Sequence, residues 1–477
     1  MAIVDKLYNY YDKDLLKEVK KIHFIGIGGS GMSGIAEVAL QRGYQVSGSD
    51  MKDSPRLKAL AQSGATIYIG HINHHIDGAD LVVVSTAIDQ NNAELVAAKN
   101  KNIPIVHRAK MLSELMLDRF SIAIGGTHGK TTTSGLLSYL LEQAGCDPTY
   151  IVGGLLNNTG TNAKLGNGEY FVAEADESDA SFLYLHPQIS VLTNIDSDHL
   201  WFYEDDFNCL KETFCLFLQN LSSNGLAILC VDDPHIRQLL PTIQKNKMTY
   251  GMSQDADVKI LEYHQEGLTT SFTVHHTLRN LHYSFQLNLP GKHNVLNATA
   301  VICVALELGI ELEHIQRGLQ TFQGTGRRFH IRGEYNFGHG KALVVDDYGH
   351  HPREIAATMA AAKAAWPNRR LVHVFQPQRY SRTKDLFQDF VNVLAESDHL
   401  VLLDIYPADE KPIQGVSSEA ICDEIARMTN KKPMFLSRDA NIAELLPSIL
   451  QDDDILLMQG AGDISGMAVN LATSVLP

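Results

Sequence analysis

The segment Ile122-Ala123-Ile124-Gly125-Gly126-Thr127-His128-Gly129-Lys130-Thr131-Thr132-Thr133 constrains the fold of this chain more than any other. The apolar run predicts the end of a strand, the glycines let the backbone turn sharply, and helix-forming residues follow Lys130. Backbone N–H groups at a helix start attract anions, Lys130 adds a mobile positive charge, and Thr131 offers a hydroxyl to Mg²⁺. Residues Gly125 to Thr132 therefore form a candidate cradle for the phosphates of a nucleoside triphosphate such as ATP. The departure from the common pattern is local. G-x-x-x-x-G-K-[ST] wants glycine at 124, where Ile124 stands, so the Gly125–Gly129 loop is one residue shorter.

A second glycine motif lies upstream. The strand Lys21–Ile25 runs into Gly26-Ile27-Gly28-Gly29-Ser30-Gly31, a helical run covers about Met32 to Arg42, and the next strand ends at Asp50. Glycines permit close approach of a pyrophosphate and the acid can bind a ribose hydroxyl, so any diphosphate nucleotide satisfies this pattern. Further strands at Thr66–Ile69, Leu81–Ser85 and Ile103–Val106 alternate with helical stretches, which implies βαβ units on a parallel sheet. The period changes between about Leu226 and Pro290. There Ala256–Tyr263, Leu268–Val274 and Tyr283–Leu289 alternate polar and apolar residues, as in an antiparallel insertion. A helix is expected over Ala298–Leu308, with Asn294 as its cap. Strands at Leu343–Asp346, Leu371–Phe375, His399–Leu403 and Asp454–Met458 mark a third region.

At roughly 150 residues per domain, 477 residues suggest about three domains. The expected boundaries give 1–118, 119–325 and 326–477. The expected class is α/β: two Rossmann-like parallel-sheet domains flank a central P-loop ATPase-like domain that carries the small antiparallel insertion. A net charge of −15 argues against broad binding to nucleic acid or acidic membranes. Met1–Tyr10 lacks the apolar core of a secretory signal, and no run of about 18 apolar residues suggests a membrane span. Six scattered cysteines without a C-x-x-C pair fit reduced thiols in a cytoplasm.

Other candidate groups stand at predicted strand ends. Glu174-Ala-Asp-Glu-Ser-Asp179 offers the oxygen ligands that a hard cation prefers. Asp196-Ser-Asp-His199 ends the next strand, and His199 is a candidate for metal or phosphate. In the third region Asp346-Asp347-Tyr348-Gly349-His350-His351-Pro352 is dense in acid and ring residues. Arg379 and Arg382 are three residues apart, so a helical segment would turn both guanidinium groups one way, toward a carboxylate or phosphate. Arg327 and Arg328 sit at the second boundary.

In this order the motifs resemble the Mur ligases of bacterial cell-wall synthesis, from Ile25 to about Ile464. Gly-Thr-His-Gly-Lys-Thr-Thr is common to several members. Asp346 to Pro352, Phe375-Gln-Pro-Gln-Arg-Tyr-Ser-Arg-Thr383 and Asp404-Ile-Tyr-Pro-Ala resemble the branch that adds L-alanine to UDP-N-acetylmuramic acid. The resemblance implies domains for the UDP-sugar, for ATP and for the amino acid. It also implies a reaction: ATP phosphorylates the lactyl carboxylate, and the amine of L-alanine displaces phosphate. By matching motifs, Thr131, Glu174 and His199 would surround Mg²⁺, and His293, Asn294 and Asn297 would meet the adenosine. Gly26, Gly28, Gly29, Ser30, Gly31, Asp50, His71, Ser85, Thr86 and Ala87 would hold the UDP end. Arg327 would lie near the transferring phosphate. Tyr348, His350, Arg379 and Arg382 would form the alanine pocket, and Asp347 would orient or deprotonate the amine. Lys130, Glu174, His199, Arg327 and Asp347 would thus carry the chemistry in a monomer or homodimer.

Two positions depart from the family pattern. Gln378 replaces a usual histidine, which removes proton transfer there and leaves hydrogen bonding. Leu200-Trp201-Phe202-Tyr203-Glu204-Asp205 puts bulk after His199, with Trp201 or Phe202 expected to pack on an adjacent domain and the two rings to differ in exposure. Competing readings are ligation of another acceptor, a nicotinamide-dependent dehydrogenase built on the first glycine motif, and a nucleotide-sensing module without turnover.

Overall fold

The computed structural model describes residues 15–408, 410–438 and 440–473. The Met1–Tyr10 stretch read for a secretory signal lies outside them. The chain divides into two compact units. One runs up to Glu262 and adds Thr273–Phe285 and Leu296–Phe322; the other comprises Tyr263–Phe272, Gln286–Val295 and the chain from Gln323 onward.

The first unit begins with a five-stranded parallel sheet of β1 (Lys21–Ile25), β2 (Gln45–Asp50), β3 (Thr66–Ile69), β4 (Leu81–Val84) and β5 (Ile105–His107). The spatial order is β3-β2-β1-β4-β5, so the chain reverses direction across β1 and β4. Ligands of open α/β sheets gather at such a reversal, beyond the carboxyl ends of the strands.

The second sheet holds β6 (Phe120–Gly125), β7 (Thr149–Ile151), β8 (Ala163–Lys164), β9 (Tyr170–Glu174) and β10 (Ile189–Leu192). It continues through β11 (Leu226–Cys230), β12 (Asn246–Gly251), β13 (Val258–Glu266), β14 (Thr269–His276) and β15 (Leu281–Leu287). In the order β15-β14-β13-β12-β11-β10-β6-β9-β7-β8, β6 pairs in parallel with both β9 and β10. That pairing brings the phosphate loop between the two strands that end in acids. Ile122, Ala123 and Ile124 are fully buried, as a strand covered on both faces requires.

The third sheet contains β16 (His330–Asn336), β17 (Lys341–Asp347), β18 (Leu371–Phe375), β19 (His399–Leu403), β20 (Met434–Leu436) and β21 (Asp454–Gln459). Its order is β16-β17-β21-β18-β19-β20, parallel apart from the β16 edge. Alternation along the strands sorts the core into two faces. Val345, Leu371, Leu402 and Leu457 pack on one side, and Val344, Val372, Val401 and Leu456 on the other. Among the described residues no helix is long and apolar enough to cross a membrane.

Candidate functional site

The phosphate loop is built from backbone that only glycine tolerates. Gly126 has φ 123° and a Cβ there would meet Thr193 Oγ1; Gly129 has φ 85° and its Cβ would lie 2.6 Å from Asn297 Oδ1. Gly129 is followed at once by the helix Lys130–Gln143, so the free N–H groups of its first turn belong to the loop. Side chains of the β10 end brace the outside. Asn194 Oδ1 accepts from His128 N at 2.8 Å, Thr193 Oγ1 donates to His128 O at 2.7 Å, and Asp196 Oδ2 lies 3.0 Å from His128 Nε2. Thr127 Oγ1 accepts from Asp196 N at 2.9 Å.

Lys130 curls back over this loop. Its Nζ donates to Gly126 O at 2.6 Å and Thr127 O at 3.0 Å, and lies 2.7 Å from Glu177 Oε2. Burial pulls its pKa down, but the charges of Glu177, Asp176 and Glu174 outweigh burial and hold it above its ordinary value. Glu177 is pushed up to about 7, chiefly by burial and then by Asp176, against the pull of Lys130. Thr131 Oγ1 donates to Glu174 Oε2 at 3.3 Å, and Ser134 Oγ and Gly153 N donate to Oε1 of the same carboxylate at 3.1 and 2.6 Å. Thr131 and Glu174 thus present adjacent oxygens, the donor chemistry that suits Mg²⁺. His199, at φ 56°, donates its backbone N–H to Asp198 Oδ1 at 2.9 Å, and its Nε2 lies 3.6 Å from Asp198 Oδ2.

The turn after His199 supports this acidic segment from below. Trp201 is 56% exposed, Phe202 is half-buried and Tyr203 is buried, with the three rings packed edge to edge. The Tyr203 hydroxyl donates to Glu177 O. Burial, then the charges of Glu177, Asp176 and Asp179, hold that hydroxyl far above the usual tyrosine range, so it stays a donor.

The first sheet's glycine loop belongs to the same unit, and its surroundings are tied to the acids that follow β9. Arg108, at the start of the helix after β5, lies 2.5 Å from Asp176 Oδ2 and 4.0 Å from Asp179 Oδ2. Its guanidinium also sits 3.1 Å from where a Cβ on Gly31 would be. Thr86 Oγ1 donates to Asp179 Oδ2 at 3.1 Å. Asp50 accepts from Gly28 N at 2.9 Å, while Gly26 N and Ile27 N donate to Ser49 O at 2.8 and 3.0 Å. The helix Ser30–Gln41 starts directly behind Gly29, and Ser85 to Ala87 form the turn after β4. His71 leaves β3 and turns inward to Ser49 and Glu94.

Two local expectations are corrected. The helix expected from Ala298 begins at Lys292, because Gly291 at φ 96° already turns the chain. Asn294 is therefore inside its first turn and is no cap; its amide donates to Pro290 O at 2.7 Å. Asn297, one turn on, faces Gly129. Arg379 and Arg382 do not share a helical face. The helix is Tyr380–Asp385, and Arg379 stands before it at φ 71°, held by its N–H to Tyr406 O at 2.9 Å. Arg379 Nη1 donates to Glu410 Oε1 at 3.1 Å, and Arg382 Nη1 donates to Gln378 Oε1 at 3.1 Å.

The second unit gathers the remaining candidates. Tyr348 lies beneath two guanidinium groups, Arg327 at 4.6 Å and Arg328 at 5.0 Å from the ring centre. Arg327, at φ 62°, donates from Nη2 to Gly460 O at 2.8 Å. The His350 ring meets Tyr348 edge-on at 5.3 Å, and the His350 backbone N–H donates to Glu354 Oε2 at 2.9 Å. Burial, against the pull of Asp347 and Glu354, keeps the His293 pKa below its ordinary value. Asp347 is saturated by donors: Phe329 N at 2.9 Å, Gly349 N at 2.9 Å, Thr358 Oγ1 at 3.1 Å and Gln459 Nε2 at 2.7 Å. Four donors on one buried carboxylate make Asp347 a hub that joins the chain at Phe329, the turn at Gly349, the helix bearing Thr358 and the strand end at Gln459.

Sequence reasoning gave no role of its own to Arg108, Glu177, Glu94, Glu410 or Gln459. Arg108 and Gln459 stand at the carboxyl ends of β5 and β21, the side on which ligands bind, so position alone was a usable signal for them. Glu410 and Glu94 are joined to their partners only by tertiary contacts.

A glycine loop with lysine and threonine at a helix start, beside strand-end carboxylates on a parallel sheet, defines a phosphate-loop α/β protein. Three family models match successive stretches of the chain: "Mur ligase family, catalytic domain" over residues 21–120, "Mur ligase middle domain" over 124–305, and "Mur ligase, glutamate ligase domain" over 327–462. The chain belongs to the Mur ligase family. Among solved structures it is similar to the UDP-N-acetylmuramate–alanine ligase MurC of Thermotoga maritima. They share 28% identity and a TM-score of 0.80, covering 94% of this chain and 98% of that one. The murein peptide ligase of Psychrobacter arcticus shares its fold at 24% identity and TM-score 0.71, over 96% of this chain and 100% of the other. So does the MurF ligase of Thermotoga maritima, solved in complex with ADP, at 18% identity and TM-score 0.60, over 89% and 93%.

Proposed function

We propose that this enzyme joins L-alanine to the lactyl carboxylate of UDP-N-acetylmuramic acid at the expense of ATP, through an acyl phosphate. The whole-length likeness to the alanine ligase of Thermotoga maritima carries the choice of substrates. The phosphate loop, with Lys130 beside it and the Thr131–Glu174 pair behind it, carries the choice of chemistry. On this reading the chain comprises a UDP-sugar domain to residue 118, an ATP domain to 325 and an amino-acid domain beyond.

Moving a phosphoryl group onto a carboxylate brings anions together, so catalysis rests on positive charge and alignment. Lys130 exchanges its loop carbonyls and Glu177 for phosphate oxygens. Thr131 and Glu174, joined by His199, would hold Mg²⁺, which neutralises phosphate charge when bound. Asn297 meets the nucleotide at the loop, and His293 and Asn294 belong to the same helix start. Arg327, already stripped of much water, offers a second cation to the transferring phosphate. Arg379 and Arg382 grip the alanine carboxylate, Tyr348 and His350 wall the pocket, and Asp347 keeps those loops in place as an orienting group.

The test measures phosphate release from ATP and Mg²⁺ with UDP-N-acetylmuramic acid, with and without L-alanine. Release that requires all three substrates and vanishes in Lys130→Ala supports the reading. Release driven by a preformed peptide in place of alanine would move the chain to the branch represented by the murein peptide ligase. Absence of release from a folded, ATP-binding protein would refute ligation.

A further inference from the structure

A buried carboxylate lies against β1, β2 and the segment after β3, with no part in the chemistry above. Glu94, in the first turn of the helix Ala93–Asn100, is fully buried. It accepts from Ser49 Oγ at 2.5 Å, lies 2.7 Å from His75 Nδ1 and 3.3 Å from His71 Nδ1, and receives Ile72 N at 3.4 Å. His23 Nε2 stands 3.5 Å away, and the His75 ring stacks on Tyr68 at 4.1 Å. Burial would raise the Glu94 pKa, but these donors hold it down at about 2, so the group is an anion.

This anion decides which nitrogen of His71 carries a proton. His71 Nδ1 has two neighbours, Ser49 Oγ at 2.9 Å and Glu94 Oε2 at 3.3 Å. Ser49 has one hydroxyl proton and gives it to Glu94, so both neighbours of Nδ1 are acceptors. Nδ1 must then be the donor, and in the neutral ring this leaves the lone pair on Nε2, which makes no hydrogen bond among the described residues.

The strand order locates what Nε2 would meet. A diphosphate belongs at the loop after β1 and a ribose at the acid ending β2, so the base extends outward to the end of β3, where His71 emerges. Exposed apolar side chains stand at the same two strand ends: Met51, Ile69 and Ile72. Uracil presents an N3–H donor; cytosine presents a bare N3 acceptor.

We propose that Glu94 is a positioning residue that holds His71 in the neutral tautomer protonated at Nδ1, so that Nε2 accepts from the N3–H of uracil and selects uridine over cytidine nucleotides. The proposal rests on the first sheet binding the UDP end of the sugar nucleotide.

The experiment titrates the full-length protein with UDP and with CDP by calorimetry, and records the ¹⁵N shifts of His71 in the unliganded protein. The wild type is expected to favour UDP by about tenfold or more and to show an unprotonated Nε2. Glu94→Gln keeps the shape but removes the charge. Its preference is expected to fall to about threefold or less, with a shifted His71 tautomer and little loss in CDP affinity. A wild-type His71 protonated at Nε2, as the other tautomer or as imidazolium, overturns the proposal without any variant. Full discrimination in a folded Glu94→Gln overturns it as well. Failure of the wild type to bind UDP or UDP-N-acetylmuramic acid refutes the underlying site along with it.

Discussion

Gly129→Ala separates two reasons why the phosphate loop needs glycine. At φ 85° an L-residue costs about 1–2 kcal/mol. The new methyl would also lie 2.6 Å from Asn297 Oδ1 and 3.3 Å from its Cγ and Nδ2. Relieving that contact inside a buried site costs a further ~1–3 kcal/mol. The sum is roughly 2–5 kcal/mol, localised where Lys130 begins its helix. A chain with several cores need not unfold in one step, so the suitable assay is hydrogen exchange of amides in the Lys130–Gln143 helix. Adding Asn297→Ala should return the steric share and leave the backbone share, giving a coupling of about 1–3 kcal/mol in a double-mutant cycle. Additive effects would mean that Asn297 does not face Gly129, and a single variant within about 1 kcal/mol of the parent would refute both arguments.

Three further perturbations test the surrounding groups. Glu177 holds its proton more tightly folded, at about 7 against 4.5, so its contribution to stability is fully present below pH 4.5 and is lost as pH rises through 7. That difference is on the order of 3 kcal/mol, and Glu177→Gln should flatten the stability profile across this window; an unchanged slope between pH 4.5 and 7 would contradict it. Tyr203→Phe strips the donor from Glu177 O and should cost about 1–2 kcal/mol, read as a lower melting temperature. Asp347→Asn must turn its amide NH₂ toward a donor on one side or the other, Phe329 N at Oδ2 or Gly349 N, Thr358 Oγ1 and Gln459 Nε2 at Oδ1. It should lose at least ~1–3 kcal/mol of stability along with activity, whereas a group acting only as a base would lose rate at unchanged stability.

Much of the architecture was legible because covered parallel strands are written as short apolar runs. Lys21–Ile25, Thr66–Ile69, Tyr170–Glu174, Leu371–Phe375 and His399–Leu403 fall where the pattern places them. The strands β7, β8 and β16 were missed: β8 and β16 are edges whose partly exposed residues carry little periodic signal, and β7, buried between β9 and β8, is only three residues long. The helix at Lys292 was placed late because a Gly-Lys-His-Asn start resembles a turn, and the chain-reversing φ of Gly291 is invisible in letters. Lys130, Thr131 and Glu174 were found because their chemistry is local to a motif. Glu177 lay inside the quoted acidic run, yet only folding shows that it is the acid facing Lys130. Arg379 was assigned to a helix because spacing cannot register the Tyr406 carbonyl that holds its backbone outside. Glu94 and its histidines come from strands and loops separated by up to 71 positions, from His23 to Glu94, and no window on the sequence spans them.

Three of the candidate residues other than glycine, His199, Arg327 and Arg379, have positive φ, at 56°, 62° and 71°. Each position therefore answers to two demands that pull toward different amino acids. The backbone would be more comfortable with glycine or asparagine, while the proposed chemistry needs an imidazole or a guanidinium. A screen that selects variants on heat resistance alone will reward the first demand at these sites. Its survivors should include Gly or Asn at 199, 327 and 379, folded better than the parent and poorer as enzymes. Any thermostable library of this protein would have to freeze those three codons before selection begins.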